Sequence, residues 1–337
     1  MSFSSFQDLR SFLENLPEAS EEHSRKARER NDTLTKPAGS LGRLEELAIW
    51  AASWQKQHIP TADNPQVIIF AGNHGVCKKG VSAFPSEVTS QMVANFKNGG
   101  AAINQLAKLY GASFAVHPLD LDTPTEDFTE AAAMDKEECL KLLNLGWAAV
   151  DETADCLVIG EMGIGNTTVA AAICAALYEM SGNDWAGPGT GLDKPGVTHK
   201  AAIIDQGLSR HKDIIKDPLE VLRCLGGREF AAMAGAILRA RQEGIPVLLD
   251  GFVVCAAAAV LHAIRENALD HCVAGHCSAE PGHKILLDKL GHEPLLELGM
   301  RLGEGSGAAL SLGILKGAFA THGHMASFAE AGVSGKD

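Results

Sequence analysis

Two rhythms of apolar and polar positions run along the chain. In the first part, residues 21–54, charged positions dominate and Leu44, Leu47, Ala48 and Ala51 recur at helical spacing. The pattern breaks at Lys36-Pro37-Ala38-Gly39, which predicts two helices with a loop between them. Beyond Pro60 the rhythm changes to short, continuous apolar runs at 67–71, 113–117, 156–160 and 247–250, closing around Gly, Asp or His. Such runs predict strands of a parallel sheet buried on both faces. Ala-rich stretches at 92–110, 167–179 and 229–243 separate them and predict helices, and a further helix is read over 200–210 after Thr198.

Strand alternating with helix predicts an α/β fold, a doubly wound, mostly parallel, Rossmann-like sheet. Its extent is read as residues 60–312, with residues 1–59 and 313–337 forming a small helical lobe from both termini and the last residues fraying. In such sheets the connections at the carboxyl ends of the strands form the ligand crevice, so those connections are where chemistry is sought. The stretch 120–138 carries eight acids against one Lys and reads as a solvated, mobile surface segment without a catalytic role. No internal repeat is visible.

Composition narrows the partners. With 46% hydrophobic residues in 337, the chain can bury a large core. A net charge of -13 repels a phosphate backbone, which argues against nucleic acid as a partner. An anionic small molecule would instead be held by local backbone amides and single cations. The apolar runs 247–249 and 252–261 are too short to span a bilayer, so no membrane partner is expected. The N-terminal residues lack the pattern of a secretory signal, which points to the cytoplasm. Eight cysteines, Cys174 and Cys255 among them, sit amid Ala, Val and Leu and read as buried thiols rather than a disulfide framework.

Three glycine-rich connections carry the candidate chemistry. GEMGIGNTT (160–168) joins a strand directly to a helix, a junction that offers free amides and a favourable dipole to an anion. Glu161, Gly163, Gly165, Asn166 and Thr167 belong to it. Asn166 stands where a nucleoside-triphosphate loop needs its Lys, so a monophosphate suits it better; the alternative is a loop that merely turns the chain. GPGTGLD (187–193), with Gly189, Thr190 and Gly191, precedes Lys200, and the two together could close over the same phosphate. In LGMRLGEGSGAAL (298–310), Glu304 lies between Gly303 and Gly305, ahead of a helix starting near Ser306, which is read as its cap. Alone, Glu304 reads as an acid complementing the helix dipole; its glycine flanks leave the carboxylate unshielded and favour a functional role, with Glu161 as the competing acid.

His271, Cys272, His276, Cys277 and His283 are all zinc-ligand types, but their spacing matches no paired-ligand pattern. They read instead as a loop, with SAEPGH (278–283) lining the cleft.

PAGSLGRLE (37–45), AGNHGV (71–76), VSAFP (81–85), QMVANF (91–96), GEMGIGNTT, GPGTGLD, LGGREFAAMAGA (225–236), SAEPGH and RLGEGSGAAL (301–310) together resemble the nicotinate-nucleotide:dimethylbenzimidazole phosphoribosyltransferase family, in order and over nearly the whole chain. The resemblance implies a homodimer acting on nicotinate mononucleotide and dimethylbenzimidazole, without cofactor or metal, to make α-ribazole phosphate for cobalamin. It implies that Glu304 takes the benzimidazole proton. It also implies that Gln91, Ser82 and Phe84 lie near the benzimidazole, while Glu161 to Thr167, Gly189 to Gly191 and Lys200 hold the nucleotide. Two rivals stand beside it. One is a Mg-dependent phosphoribosyltransferase using activated ribose pyrophosphate, suggested by Asp250 at a strand end; the other is a non-catalytic nucleotide sensor.

Overall fold

The computed structural model describes residues 2–334. Five strands, β1 (Pro65–Ala71), β2 (Ser113–Pro118), β3 (Cys156–Met162), β4 (Val247–Leu249) and β5 (Cys272–Ala274), form one sheet in the order β2-β1-β3-β4-β5. Every pairing is parallel. Val67 stands opposite Phe114 on one side and Val158 on the other, and Val158 stands opposite Leu248.

Alternation of side chains divides the sheet's residues between two cores. Ile68, Phe70, Leu157, Ile159 and Leu249 pack with the helices Lys136–Ala149, Asn166–Leu177, Arg228–Glu243 and Phe252–Ile264. Val67, Ile69, Val158, Leu248 and Val273 face the helices Arg43–Gln55, Ala102–Leu109 and Ser306–His324. Helices on both faces explain why the strand runs are apolar throughout. The chain leaves β1 to one side for β2 and returns to its other side for β3, so the strand order reverses between β1 and β3.

Several elements differ from the expectations. The region around His271 holds a fifth strand rather than a loop; three residues are too few to show a periodicity. The single helix expected over 92–110 is two, Glu87–Lys97 and Ala102–Leu109, parted where Gly99 adopts a left-handed φ of 74°. The helix read from Lys200 begins at Lys194, where Asp193 caps it by accepting the Gly196 N–H and Pro195 occupies the first turn. Thr198 is therefore inside the helix.

The acidic stretch 120–138 is an ordered, partly buried segment. Phe128 is buried in the core against Gly207, and Ala133 and Met134 donate to the carbonyls of Cys224 and Arg223. Three of its eight acids have cationic partners: Lys79 lies 2.6 Å from Glu130 and 3.4 Å from Asp127, and Arg228 lies 2.6 Å from Glu138. Charge count alone hid the apolar residues spaced between them.

The terminal segments meet on one side. Helix Glu21–Thr33 packs on Arg43–Gln55, and Arg30 donates to the carbonyls of His322 (2.8 Å) and Gly323 (2.7 Å). Residue 312 falls inside the unbroken helix Ser306–His324. The first helix, Phe6–Glu14, lies elsewhere: Phe3 and Phe12 stack edge-on against Trp147 at 5.2 and 5.3 Å. In the PAGSLGRLE block, the buried Glu45 accepts from Asn31, Lys36 and the Leu41 N–H, so this motif serves the fold. Residues 335–337, expected to fray, lie outside the described residues.

Candidate active site

The carboxyl ends of β3, β4 and β5 and the loop before helix Ser306–His324 converge on one cleft. Its walls include Glu161, Gly163, Asn166, Thr167, Gly189 and Thr190, joined by Phe252, His276, Ser278, Glu280, Arg301 and Gly303. Two of the glycine connections therefore face each other across it, and the third closes the side.

Glu304 occupies the tightest piece of backbone. Gly303, Glu304 and Gly305 all have positive φ, at 79°, 63° and 75°. A side chain in that conformation costs about 1–2 kcal/mol, so the surroundings must hold it there. They do: Gly305 N–H donates to Asp250 Oδ2 (3.2 Å), Ala308 N–H to Oδ1 (2.9 Å), and Ser306 Oγ to the Gly303 carbonyl (2.7 Å). Ser306 is thus not the cap expected of it. Gly305 precedes the helix without a side-chain cap, and the Ser306 hydroxyl braces the turn instead. A Cβ on Gly160 would come within 2.5 Å of Gly305 N, so β3 supports the turn from below.

A Cβ on Gly303 would stand 2.5 Å from Glu161 Oε1, so this glycine is what lets the two acids approach each other. Both are buried, Glu304 being 5% exposed and Glu161 7%. Burial, then the charge of Asp250, raises Glu304 to about 7 and Glu161 to about 8. Asn166 Nδ2 donates to Glu161 and partly opposes that rise. Asp250, fully buried, behaves differently. Burial pushes it up, but His276 beside it and the Ala308 N–H more than offset this and hold it below the ordinary range.

The 160–168 connection joins β3 directly to a helix, as read from the sequence. Gly165, at φ 87°, ends the loop, and helix Asn166–Leu177 begins with no side chain capping it. Asn166 and Thr167 line the cleft; the Asn166 and Thr168 N–H groups donate to the Gly163 (3.1 Å) and Gly165 (2.9 Å) carbonyls. Lys200 stands one layer behind: its Nζ donates to Thr167 Oγ1 (2.8 Å) and the Gly187 carbonyl (3.1 Å). It is completely buried, and burial lowers it to about 8, with Glu280 nearby opposing the shift. Gly165, Gly191, Lys200 and Glu304 do not themselves line the cleft, although Gly303 beside Glu304 does.

Ser82 and Phe84, on the partly exposed segment leading into helix Glu87–Lys97, and Gln91, inside that helix, also lie off these walls. That segment docks on the phosphate loop, because Ile164 N–H donates to Thr89 Oγ1 (3.1 Å) and Cys77 Sγ meets the Ile164 carbonyl (3.0 Å). Phe84 is 49% exposed at this edge.

The His and Cys residues are dispersed. His271 lies 3.0 Å from the Ile237 carbonyl, and burial lowers it to about 3. His283 Nδ1 accepts the Ser278 N–H (2.8 Å), while His276 faces Asp250 at 3.4 Å. Ser278 and Glu280 line the cleft, as read from SAEPGH.

Sequence reasoning missed His276, Arg301, Phe252 and the buried pair of His74 and Glu229, 2.7 Å apart beneath Gly72, Gly163 and Gly227. Glu229 and His74 lie in quoted motifs, which was the available signal. His276 follows the strand that three residues could not reveal.

A family model described as Phosphoribosyltransferase matches residues 16–333. The nicotinate-nucleotide:dimethylbenzimidazole phosphoribosyltransferase of Ruegeria pomeroyi is 62% identical over 308 residues, 91% of each chain. The enzyme of that name from Cereibacter sphaeroides is 56% identical over 333 residues, covering 99% of this chain and 98% of its own. Among solved structures, CobT from Thermus thermophilus superposes with a TM-score of 0.87 at 40% identity, over 94% of this chain and all of that one.

Proposed function

Because this chain belongs to the nicotinate-nucleotide:dimethylbenzimidazole phosphoribosyltransferase family, we propose that Glu304 is its base and that the 160–168 loop holds the phosphoribosyl group. The enzyme transfers the phosphoribosyl group of nicotinate mononucleotide to dimethylbenzimidazole, a step of cobalamin biosynthesis that yields α-ribazole phosphate and nicotinate. The observation that carries the residue assignment is Glu304 itself: a buried carboxylate on a left-handed turn, raised to about 7, directly after Gly303 of the cleft wall.

The chemistry fits a single base. Nicotinate leaves C1′ with the bonding electron pair, and its pyridinium nitrogen becomes neutral. A nitrogen of dimethylbenzimidazole forms the new bond from the opposite face, inverting C1′ to the α configuration. As that ring gains positive charge its other N–H becomes acidic, and Glu304 accepts the proton. A group titrating near neutrality is well matched to this exchange. The start of helix Asn166–Leu177, Thr167 and Thr190 would bind the phosphate, with Lys200 supplying charge from behind Thr167. Holding both substrates in line supplies much of the acceleration.

The benzimidazole is assigned to the edge where Ser82, Phe84 and Gln91 lie, supported by the docking of that segment on the phosphate loop. A homodimer is part of the same reading, supported by the exposed Leu302 (57%) on the cleft wall and by exposed Phe84 and Leu298 (60%). Division into a 60–312 catalytic unit and a terminal helical lobe rests on the ties of Arg30 to His322 and Gly323. No helix of the described residues is long and apolar enough to cross a membrane. We place the enzyme in the cytoplasm on its eight free thiols.

The test is incubation of the pure protein with nicotinate mononucleotide and a panel of benzimidazoles, following nicotinate release and the anomer formed. Release that depends on the base, with an α product, is expected and should persist in EDTA. No release with any base would overturn the function, and loss of activity in EDTA would overturn the metal-free route.

A further inference from the structure

Asp250 has no part in the transfer as proposed above, yet it is built into the turn that carries Glu304. It follows β4 and is completely buried. Its two oxygens accept the N–H groups of Gly305 (3.2 Å) and Ala308 (2.9 Å), which lie on the carboxyl side of Glu304 in the chain. His276 Nε2 stands 3.4 Å from Oδ1. A carboxylate holding two backbone amides at a helix start is a charge-assisted anchor and gains from the helix dipole.

We propose that Asp250 is a positioning residue for the transfer: it clamps the left-handed turn and stands as a fixed negative charge behind Glu304, strengthening it as a proton acceptor. The two functions share one geometry, since the bonds that fix the turn also keep the charge in place. The groups facing this charge are Glu304 on the turn, Glu161 from β3, Cys255 from helix Phe252–Ile264, His276 after β5 and His283 from helix Pro281–Leu290. Asp250 is the charged neighbour that raises Glu304, after burial, and it acts on Glu161 in the same sense. Asp250 itself stays ionised because burial is outweighed by His276 and the Ala308 N–H. A neutral residue at 250 would therefore make Glu304 a stronger acid and a weaker base. Its oxygens are committed to amides, unlike the free acid a strand-end metal ligand would need.

This inference rests on Glu304 being the base, so the experiment separates the two claims. The acid limb of kcat/KM against pH is measured for the wild type, Asp250→Asn and His276→Leu, with Glu304→Gln alongside. Asp250→Asn keeps an oxygen for one amide and loses the charge. Its maximal turnover should fall while its acid limb moves to lower pH, so that it keeps a larger share of its activity at about pH 6 than the wild type does. His276→Leu removes the ring N–H facing Asp250 and leaves the carboxylate to its two amides. Its acid limb should likewise move to lower pH, because burial of Asp250 loses its largest opposition and the charge behind Glu304 is weakened. Limbs that overlay the wild type in both variants overturn the proposal, since a purely structural role lowers turnover without moving a limb. Where Asp250→Asn fails to fold, the direction of the His276→Leu shift decides alone. Full turnover by Glu304→Gln instead removes the base assignment on which the inference rests.

Discussion

At the scale of single residues, the site is held against its own stability. Glu304 and Glu161 titrate near 7 and 8 when folded, lifted first by burial and then by Asp250, whereas their ordinary value is 4.5. Between those values the folded state binds more protons than the unfolded one, so stability falls as pH rises through that window. Below the ordinary value both are neutral in either state and cost nothing. Glu161→Gln should therefore raise the melting temperature at pH above about 8, a gain on the order of 1 kcal/mol, and leave it nearly unchanged near pH 4. Thermal melts across that range check it, and the opposite sign would mean that Glu161 is stabilised as a carboxylate. Lys200→Met keeps the buried volume and removes the charge behind Thr167. Its KM for nicotinate mononucleotide should rise by about tenfold to a hundredfold, the worth of one charged hydrogen bond, with kcat less affected. The prominence of Glu304 was legible because glycines on both sides are unusual at an ordinary helix start. What tunes it was not, because the amides that Asp250 holds belong to a turn 55 and 58 positions away in the chain.

Among elements, two helices that meet at the cleft begin in the same way. Asn166–Leu177 follows Gly165 at φ 87° and Ser306–His324 follows Gly305 at φ 75°, each without a side-chain cap. The first start lines the cleft and the second is clamped by Asp250, a division that fits one anion site and one base. Gly165→Ala puts a Cβ into a left-handed backbone and against Cys77 Sγ. It should cost about 1–3 kcal/mol of stability and raise KM for the nucleotide more than it lowers kcat, as read by denaturant melts and steady-state kinetics. Four strands were legible because burial on both faces gives continuous apolar runs. β5 and the break at Gly99 were not, since a three-residue strand has no period and an Ala-rich stretch reads as helix across its own interruption. Strand order was equally hidden, because pairing between residues such as Val67 and Val158 depends on contacts far apart in sequence.

For the molecule as a whole, an excess of 13 negative charges coexists with a site for an anionic nucleotide. In the proposed site the resolution is local: the helix start and one buried Lys would act at close range, where the low dielectric favours them, while the surface charge is screened by salt. The termini fasten the α/β unit from two sides, Arg30 at the C-terminal helix and the Phe3, Phe12 and Trp147 cluster at the first. Trp147→Ala should cost about 3–5 kcal/mol in denaturant melts and release the first helix while leaving KM for the nucleotide close to wild type. The most direct measurement of the central claim is single-turnover nicotinate release with dimethylbenzimidazole by the wild type and Glu304→Gln, with nucleotide affinity measured calorimetrically in parallel. A fall in rate of about a hundredfold to ten-thousandfold with affinity largely kept is expected of a general base. Release at the wild-type rate by Glu304→Gln would contradict it.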